Sequence, residues 1–167
     1  TPSLLSVEAY KNLLEGLQKK VSFVKDIEIT MEANPGTFEA EKFAGYRKLG
    51  INRLSIGVQS FADHQLKHLG RIHDGQQAIA AIKMAKEAGF DNFNIDLMHG
   101  LPDQSEAQAL ADIQQAIDLG PTHLSWYQLT IEPNTQYFSH PPKLPDDEVL
   151  WEIQEQGLTL LAENGFQ

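Results

Sequence analysis

Hydrophobic and polar residues alternate with period two in four short stretches of this chain, and recur at helical spacing between them. The sharpest stretch is NFNIDLMHGLP, residues 92–102, where Phe93, Ile95 and Leu97 alternate with Asn94 and Asp96 before Gly100-Leu101-Pro102 turns the chain. Residues 27–32 (IEITME), 53–59 (RLSIGVQ) and 123–130 (HLSWYQLT) repeat the pattern. Each reads as a strand.

The intervening segments predict helices. Ser6 can cap a helix whose apolar positions are Val7, Tyr10, Leu13, Leu14 and Leu17. After the turn Asn34-Pro35-Gly36, Thr37 stands as the next cap, with Glu39 and Glu41 in the first turn and Arg47 and Lys48 in the last. That charge order suits the helix dipole, and Gly50 closes the element. A short helical piece is expected around Asp63 to Leu69. Asp74 with Gln77, and Ser105 with Gln108, read as capping boxes opening helices that end at Gly89 and at Gly120-Pro121. A loop over Pro141 to Pro145 leads to a last helix carrying Val149, Leu150, Ile153, Leu158 and Leu161, ending at Gly165.

Strands alternating with helices in this order imply right-handed βαβ units and a parallel sheet. Parallel strands covered on both faces should be continuously apolar. These are not. Ile27, Ile29, Met31, Leu54, Ile56, Val58, Phe93, Ile95, Leu97, Leu124 and Trp126 fall on one side. Glu28, Thr30, Glu32, Arg53, Ser55, Gln59, Asn94, Asp96, Ser125 and Tyr127 fall on the other. An open sheet with one bare face would explain the pattern, and so would a complete or partial barrel with a polar interior. With every helix on one side the sheet must curl, which favours the barrel.

In such folds ligands bind at the C-terminal rim of the strands. Glu32, Gln59, Asp96 and, just beyond the second strand, Arg71 are the polar groups expected there. A carboxylate can accept two ribose hydroxyls or an ammonium, and an arginine can clamp a carboxylate with two hydrogen bonds. Pairing of these charges across the rim is the competing structural reading. His64 and His68 have metal-ligand spacing but lack a third ligand, so a solvated helix face is the better account. His73, His99 and His123 sit near strand or loop ends with no partner evident, and Trp126 and Tyr127 read as packing residues.

Composition narrows the chemistry. At 167 residues and 41% hydrophobic, one domain over 1–167 is expected. There is no cysteine, which excludes disulfides, a thiolate nucleophile and cysteine-ligated metal within these residues. With 23 acids against 13 bases and a net charge of −10, nothing invites nucleic acid. No apolar run approaches the roughly 20 residues of a membrane helix, and cytoplasmic residence is the default expectation. The opening Thr-Pro-Ser and the closing Gly165-Phe166-Gln167 suggest a piece of a longer protein.

The segments EANPGT (32–37), GINRLSIGVQSF (50–61), LGRIH (69–73), NIDLMHGLP (94–102) and HLSWYQLTIEPNT (123–135), together with Thr1-Pro2-Ser3, resemble the radical S-adenosylmethionine superfamily. They resemble in particular its oxygen-independent coproporphyrinogen III oxidase-like branch, and the EANPGT and YQLTIEPNT wording is nearer to the branch's haem chaperones than to its decarboxylating enzymes. The resemblance implies the central part of a partial (β/α)6 barrel that binds S-adenosylmethionine and, in the intact parent, a [4Fe-4S] cluster. It implies haem or a porphyrinogen as the other ligand, and a haem-receiving apoprotein as a partner of a chaperone. The family's CxxxCxxC motif is expected upstream of Thr1, so no catalytic residue and no metal ligand is expected in these residues. Carried over residue by residue, Thr1 ends the glycine-rich strand that meets the methionine moiety, and Glu32, Gln59, Arg71 and Asp96 contact S-adenosylmethionine. Asp96 would serve the ribose and Arg71 a carboxylate.

Overall fold

The computed structural model describes residues 2–37 and 40–167, with the backbone alone at Thr37. A short 3-10 turn at Pro2–Leu4 precedes helix α1, Val7–Gln18, whose cap is Ser6: its hydroxyl accepts from the Ala9 amide at 3.1 Å. Strand β1 is Thr30–Ala33, followed after a 3-10 turn at Pro35–Thr37 by helix α2, Ala40–Lys48. The expected caps and first-turn charges at Thr37 and Glu39 lie outside the described side chains. Strand β2, Arg53–Gln59, leads into the short helix α3, Asp63–His68, and then α4, Gly75–Glu87. Strand β3 is Phe93–His99, helix α5 is Glu106–Leu119, and strand β4 is His123–Gln128. A single helical turn α6, Gln136–Ser139, and the long helix α7, Asp147–Glu163, complete the described elements.

Both capping boxes form, at Asp74–Gln77 and Ser105–Gln108, and Gly120 takes the left-handed conformation that ends α5. All strand pairings are parallel, in the order β1-β2-β3-β4, so the chain winds steadily from one edge of the sheet to the other. This is the α/β architecture of a parallel barrel segment.

The first strand is shorter than its alternation suggests. Ile27 and Ile29 do not join the ladder as strand residues, because the Asn52 side chain captures their backbone: its Oδ1 accepts from the Ile29 amide at 2.8 Å and its Nδ2 donates to the Ile27 carbonyl at 2.8 Å. β4 likewise stops at Gln128, two residues before the expected end.

The apolar face of the sheet packs on the helices. Leu54, Ile56, Val58, Ile95 and Leu97 are completely buried, against Phe43 and Tyr46 of α2, Ala78, Ile82 and Ala85 of α4, and Ala116 of α5. Phe43, Tyr46 and Phe90 meet edge to face, with ring centroids 5.8–6.1 Å apart. Helix α7 covers the far end of the sheet through Gly157, where an added Cβ would lie 2.1 Å from the Trp126 ring. Only a residue without a side chain allows that approach. The four helices α1, α2, α4 and α5 therefore leave the opposite face of the sheet open.

Candidate functional site

The open face is built in rows across the strands. Register places Glu32 beside Ser55 and Ser55 beside Asn94; the next row toward the C-terminal rim is Gly57, Asp96 and Ser125. Period-two alternation puts all of these on the side away from the helices.

Asp96 is half-buried at the centre of this face. One carboxylate oxygen accepts from Asn94 Nδ2 at 2.7 Å, and the other from Ser55 Oγ at 3.1 Å. Asn94 is buried and is itself fixed: its second amide hydrogen goes to Ser55 Oγ at 2.9 Å, and its Oδ1 accepts from Ser125 Oγ at 3.2 Å. The carboxylate is thus held in one orientation with lone pairs still open to the sheet's free side.

Gln59 ends β2 at a bulge, where Gly57 pairs with Asp96 but Gln59 already pairs with Leu97. Its φ is +72°, in the left-handed region that a side chain makes costly, and it is buried. Tyr127 Oη donates to Gln59 Oε1 at 2.7 Å, which leaves Nε2, lying over Gly57, as the donor end of the amide. A Cβ on Gly57 would stand 3.1 Å from that nitrogen and 3.0 Å from Asn34 Oδ1, so both amides lie low over a bare stretch of backbone. Burial and the Asp96 charge push the Tyr127 hydroxyl above its ordinary range, while Arg71 and the Gln59 hydrogen bond pull the other way. The phenol therefore stays neutral and shares one electrostatic neighbourhood with both charged residues. Tyr127 makes a polar contact on the open face rather than the packing role its sequence suggests; Trp126, on the other side of the strand, is the one that packs.

Arg71 is half-buried in the turn between α3 and α4, which is set by its own amide donating to the Leu66 carbonyl at 2.9 Å. Glu32 is exposed on β1. Two strand spacings, roughly 10 Å, separate it from the line of Asp96. Among the described residues Glu32, Arg71 and Asp96 form no ion pair with one another, so pairing across the rim does not account for them. The structure brings Gln59 and Asp96 together, with Arg71 within electrostatic reach of the Tyr127 that joins them, and leaves Glu32 at the margin. Thr1 lies outside the described residues.

Beside Arg71, a groove of about 340 Å³ runs between the end of α3 and the segment after β4, lined by Leu69, Gly70, Leu129, Thr130, Thr135 and Tyr137. Tyr137 Oη donates to the His68 carbonyl at 2.6 Å and so ties that segment to α3.

The histidines are elsewhere. His73 is buried with Nε2 3.1 Å from the Val58 carbonyl, and burial lowers its pKa. His99 is buried on the helix side against Trp126, ring centroids 4.1 Å apart, and burial lowers its pKa too. His64, His68 and His123 are exposed, and the described residues hold no group of three or more His, Cys, Asp or Glu that could ligate a metal. No described helix is long and apolar enough to cross a membrane.

Chemically, the face offers a pre-oriented carboxylate, an amide donor, a neutral phenol and a guanidinium on a floor of small residues. That set fits a small polar ligand with hydroxyl, carboxylate and ring-nitrogen groups, such as S-adenosylmethionine. It does not fit an iron–sulfur cluster: the chain has no cysteine and contributes none of the thiolates. Sequence alternation was enough to put Asp96 and Gln59 on the open face. Asn94, Ser55 and Tyr127 were missed as participants, although the same alternation had already placed them on this face.

Residues 2–116 match the Radical SAM superfamily. The chain is 59% identical over its whole length to "Heme chaperone HemW" of Escherichia coli strain K12 and 56% identical to the protein of that name from Haemophilus influenzae, covering 44% of each. It thus spans less than half the length of these curated relatives. Among solved structures it superposes with a TM-score of 0.90 on Escherichia coli coproporphyrinogen III oxidase (HemN), described as a radical SAM enzyme, at 29% identity over 100% of this chain and 39% of that one. A parallel sheet with helices on one side, a polar rim built around Asp96 and Gln59, and this family match agree: the chain belongs to the radical S-adenosylmethionine superfamily.

Proposed function

We propose that these residues are the central, cofactor-holding part of a longer haem chaperone, and that S-adenosylmethionine lies on the polar face of the sheet. The observation that carries the reading is 59% identity along the entire chain to a protein named as a heme chaperone. In this reading the two free lone-pair directions of Asp96 take the ribose hydroxyls, Arg71 clamps the methionine carboxylate, and Gln59 Nε2 donates to a ligand acceptor. Glu32 supplies an exposed acid at the margin, and Thr1 meets the methionine moiety through its backbone. Held against a reduced [4Fe-4S] cluster whose cysteines come from outside these residues, S-adenosylmethionine supplies a sulfonium that can be cleaved to a radical. The residues described here bind and orient it. Haem is the cargo, an apoprotein its recipient, and the cytoplasm the compartment.

A second reading, an oxygen-independent coproporphyrinogen III oxidase, is favoured by the backbone agreement with that enzyme. One experiment separates the two. Full-length protein, reconstituted anaerobically with iron and sulfide, is titrated with haem by absorbance and then given S-adenosylmethionine, reductant and coproporphyrinogen. Tight haem binding without decarboxylated product is expected. Product formation without stable haem binding would move the protein to the oxidase class.

A further inference from the structure

Asp112 is a buried carboxylate with no place in the rim just described. It sits on the buried stripe of α5 with Ala109, Ile113 and Ala116, on the helix side of the sheet, and is 4% exposed. One of its oxygens accepts from Ser60 Oγ at 2.6 Å and the other from the Phe61 amide at 2.8 Å. Ser60 Oγ accepts in turn from the Ala62 amide at 3.1 Å. Three consecutive residues are thereby tied to one carboxylate, and they are the three that follow Gln59.

Gln59 needs such an anchor. Its left-handed φ of +72° is uphill for any residue with a side chain and persists only where neighbours hold it. From the open face it is held by the Tyr127 hydroxyl. From the helix face, the turn beginning at Ser60 is held by Asp112. The geometry asks for an acceptor at both oxygens at once, since a hydroxyl and an amide arrive together. An asparagine could satisfy only one of them without reorganisation. Burial raises the Asp112 pKa, while the hydrogen bonds from Ser60 and Phe61 and the nearby His64 oppose the rise.

We propose that Asp112 is a positioning residue for the cofactor rim: by anchoring residues 60–62 to α5 it fixes the turn at Gln59 and so aims the Gln59 amide at the ligand. The proposal rests on the reading that Gln59 contacts S-adenosylmethionine. It makes the outer helix layer part of the binding site without touching it.

The test uses full-length protein with its cluster reconstituted. S-adenosylmethionine affinity is measured calorimetrically for the wild type, Asp112→Asn, Gln59→Ala and the double variant, and the Gln59 side-chain amide signal is followed by NMR. Asp112→Asn is expected to weaken binding about fivefold to tenfold, the size of one displaced hydrogen-bonding group, and to shift the Gln59 signal. In the Gln59→Ala background the same change should do nothing further. Should Asp112→Asn fail to fold, Ser60→Ala, which keeps the carboxylate and its Phe61 contact, is expected to give the same non-additive loss. Unchanged affinity, an unmoved Gln59 signal, or an equal loss in the Gln59→Ala background would overturn the proposal. If Gln59→Ala alone binds like the wild type, the reading of the rim fails and takes the proposal with it. If Gln59→Ala is impaired and Asp112→Asn is not, only the proposal falls.

Discussion

The two faces of the sheet come from the same strands and obey opposite rules. Toward the helices, the side chains of Leu54, Ile56, Val58, Ile95 and Leu97 are fully out of water and join one hydrophobic cluster with the helices. Toward the open side, the residues between them, Ser55, Asn94, Asp96 and Ser125, are bound into one chain of hydrogen bonds with spare acceptors left over. Burying the second set as deeply as the first would need a partner for each of those acceptors. Leaving Ser55, Asp96 and Ser125 half-wet keeps them available to a ligand. The difference teaches that stability and binding are written on alternate residues of the same strands, so substitutions one position apart should have different consequences.

The largest expected effect lies on the helix face. Ile95→Ala should cost about 2–5 kcal/mol in urea unfolding, since its site is closed on all sides and leaves a cavity. Any S-adenosylmethionine affinity should survive wherever the variant is folded. Next is Gly157→Ala, which drives a methyl into Trp126 and should cost roughly 1–3 kcal/mol through overpacking. A Tm for Gly157→Ala no lower than that for Gly16→Ala on α1, where an added Cβ meets nothing within 4 Å, would mean that the contact is not as tight as described.

Acidity probes the same side. His73 and His99 have pKa values lowered from the ordinary 6.5 by burial, so the unfolded chain takes up protons before the folded one does. Their contribution is present above about pH 6.5 and is lost as pH falls from there through the folded pKa values, by at most about 1.4 kcal/mol per pH unit for each. Unfolding free energies at a series of pH values should fall along that slope, and His99→Phe should flatten it while keeping a ring against Trp126. A slope unaffected by His99→Phe would assign the effect elsewhere. The smallest stability effect belongs to the open face: Tyr127→Phe leaves a buried Gln59 acceptor without its donor, costing about 1 kcal/mol. It should nevertheless weaken cofactor binding severalfold, and equal binding by calorimetry would remove Tyr127 from the site.

Much of this was legible in the sequence because it depends on short-range chemistry. Both capping boxes, the bounds of β2, the parallel order and the side on which Asp96 and Gln59 project follow from patterns a few residues long. What was not legible depends on partners far along the chain. The start of β1 is displaced because Asn52 takes the backbone of Ile27 and Ile29. The α6 turn is too short to show a period, although Thr135 caps it. Tyr127 looked like a core aromatic because its partner, Gln59, is 68 residues away. Asp112 did leave a trace, as a carboxylate on the apolar stripe of an amphipathic helix, but its purpose is visible only once Ser60 and Phe61 are seen beneath it. Glu32 is the reverse case: alternation put it on the right face, and the strand spacing leaves it at the edge of the group.

The central claim is that the open face binds the cofactor through the Asp96 carboxylate. It is tested most directly by titrating S-adenosylmethionine into full-length, cluster-loaded wild type and Asp96→Ala, with urea unfolding of both run in parallel. The account predicts at least a tenfold loss of affinity, about 1.4 kcal/mol, alongside a stability loss of about 1–2 kcal/mol from the Asn94 and Ser55 donors that lose their acceptor, the variant remaining folded. Equal affinity in the two proteins would contradict it.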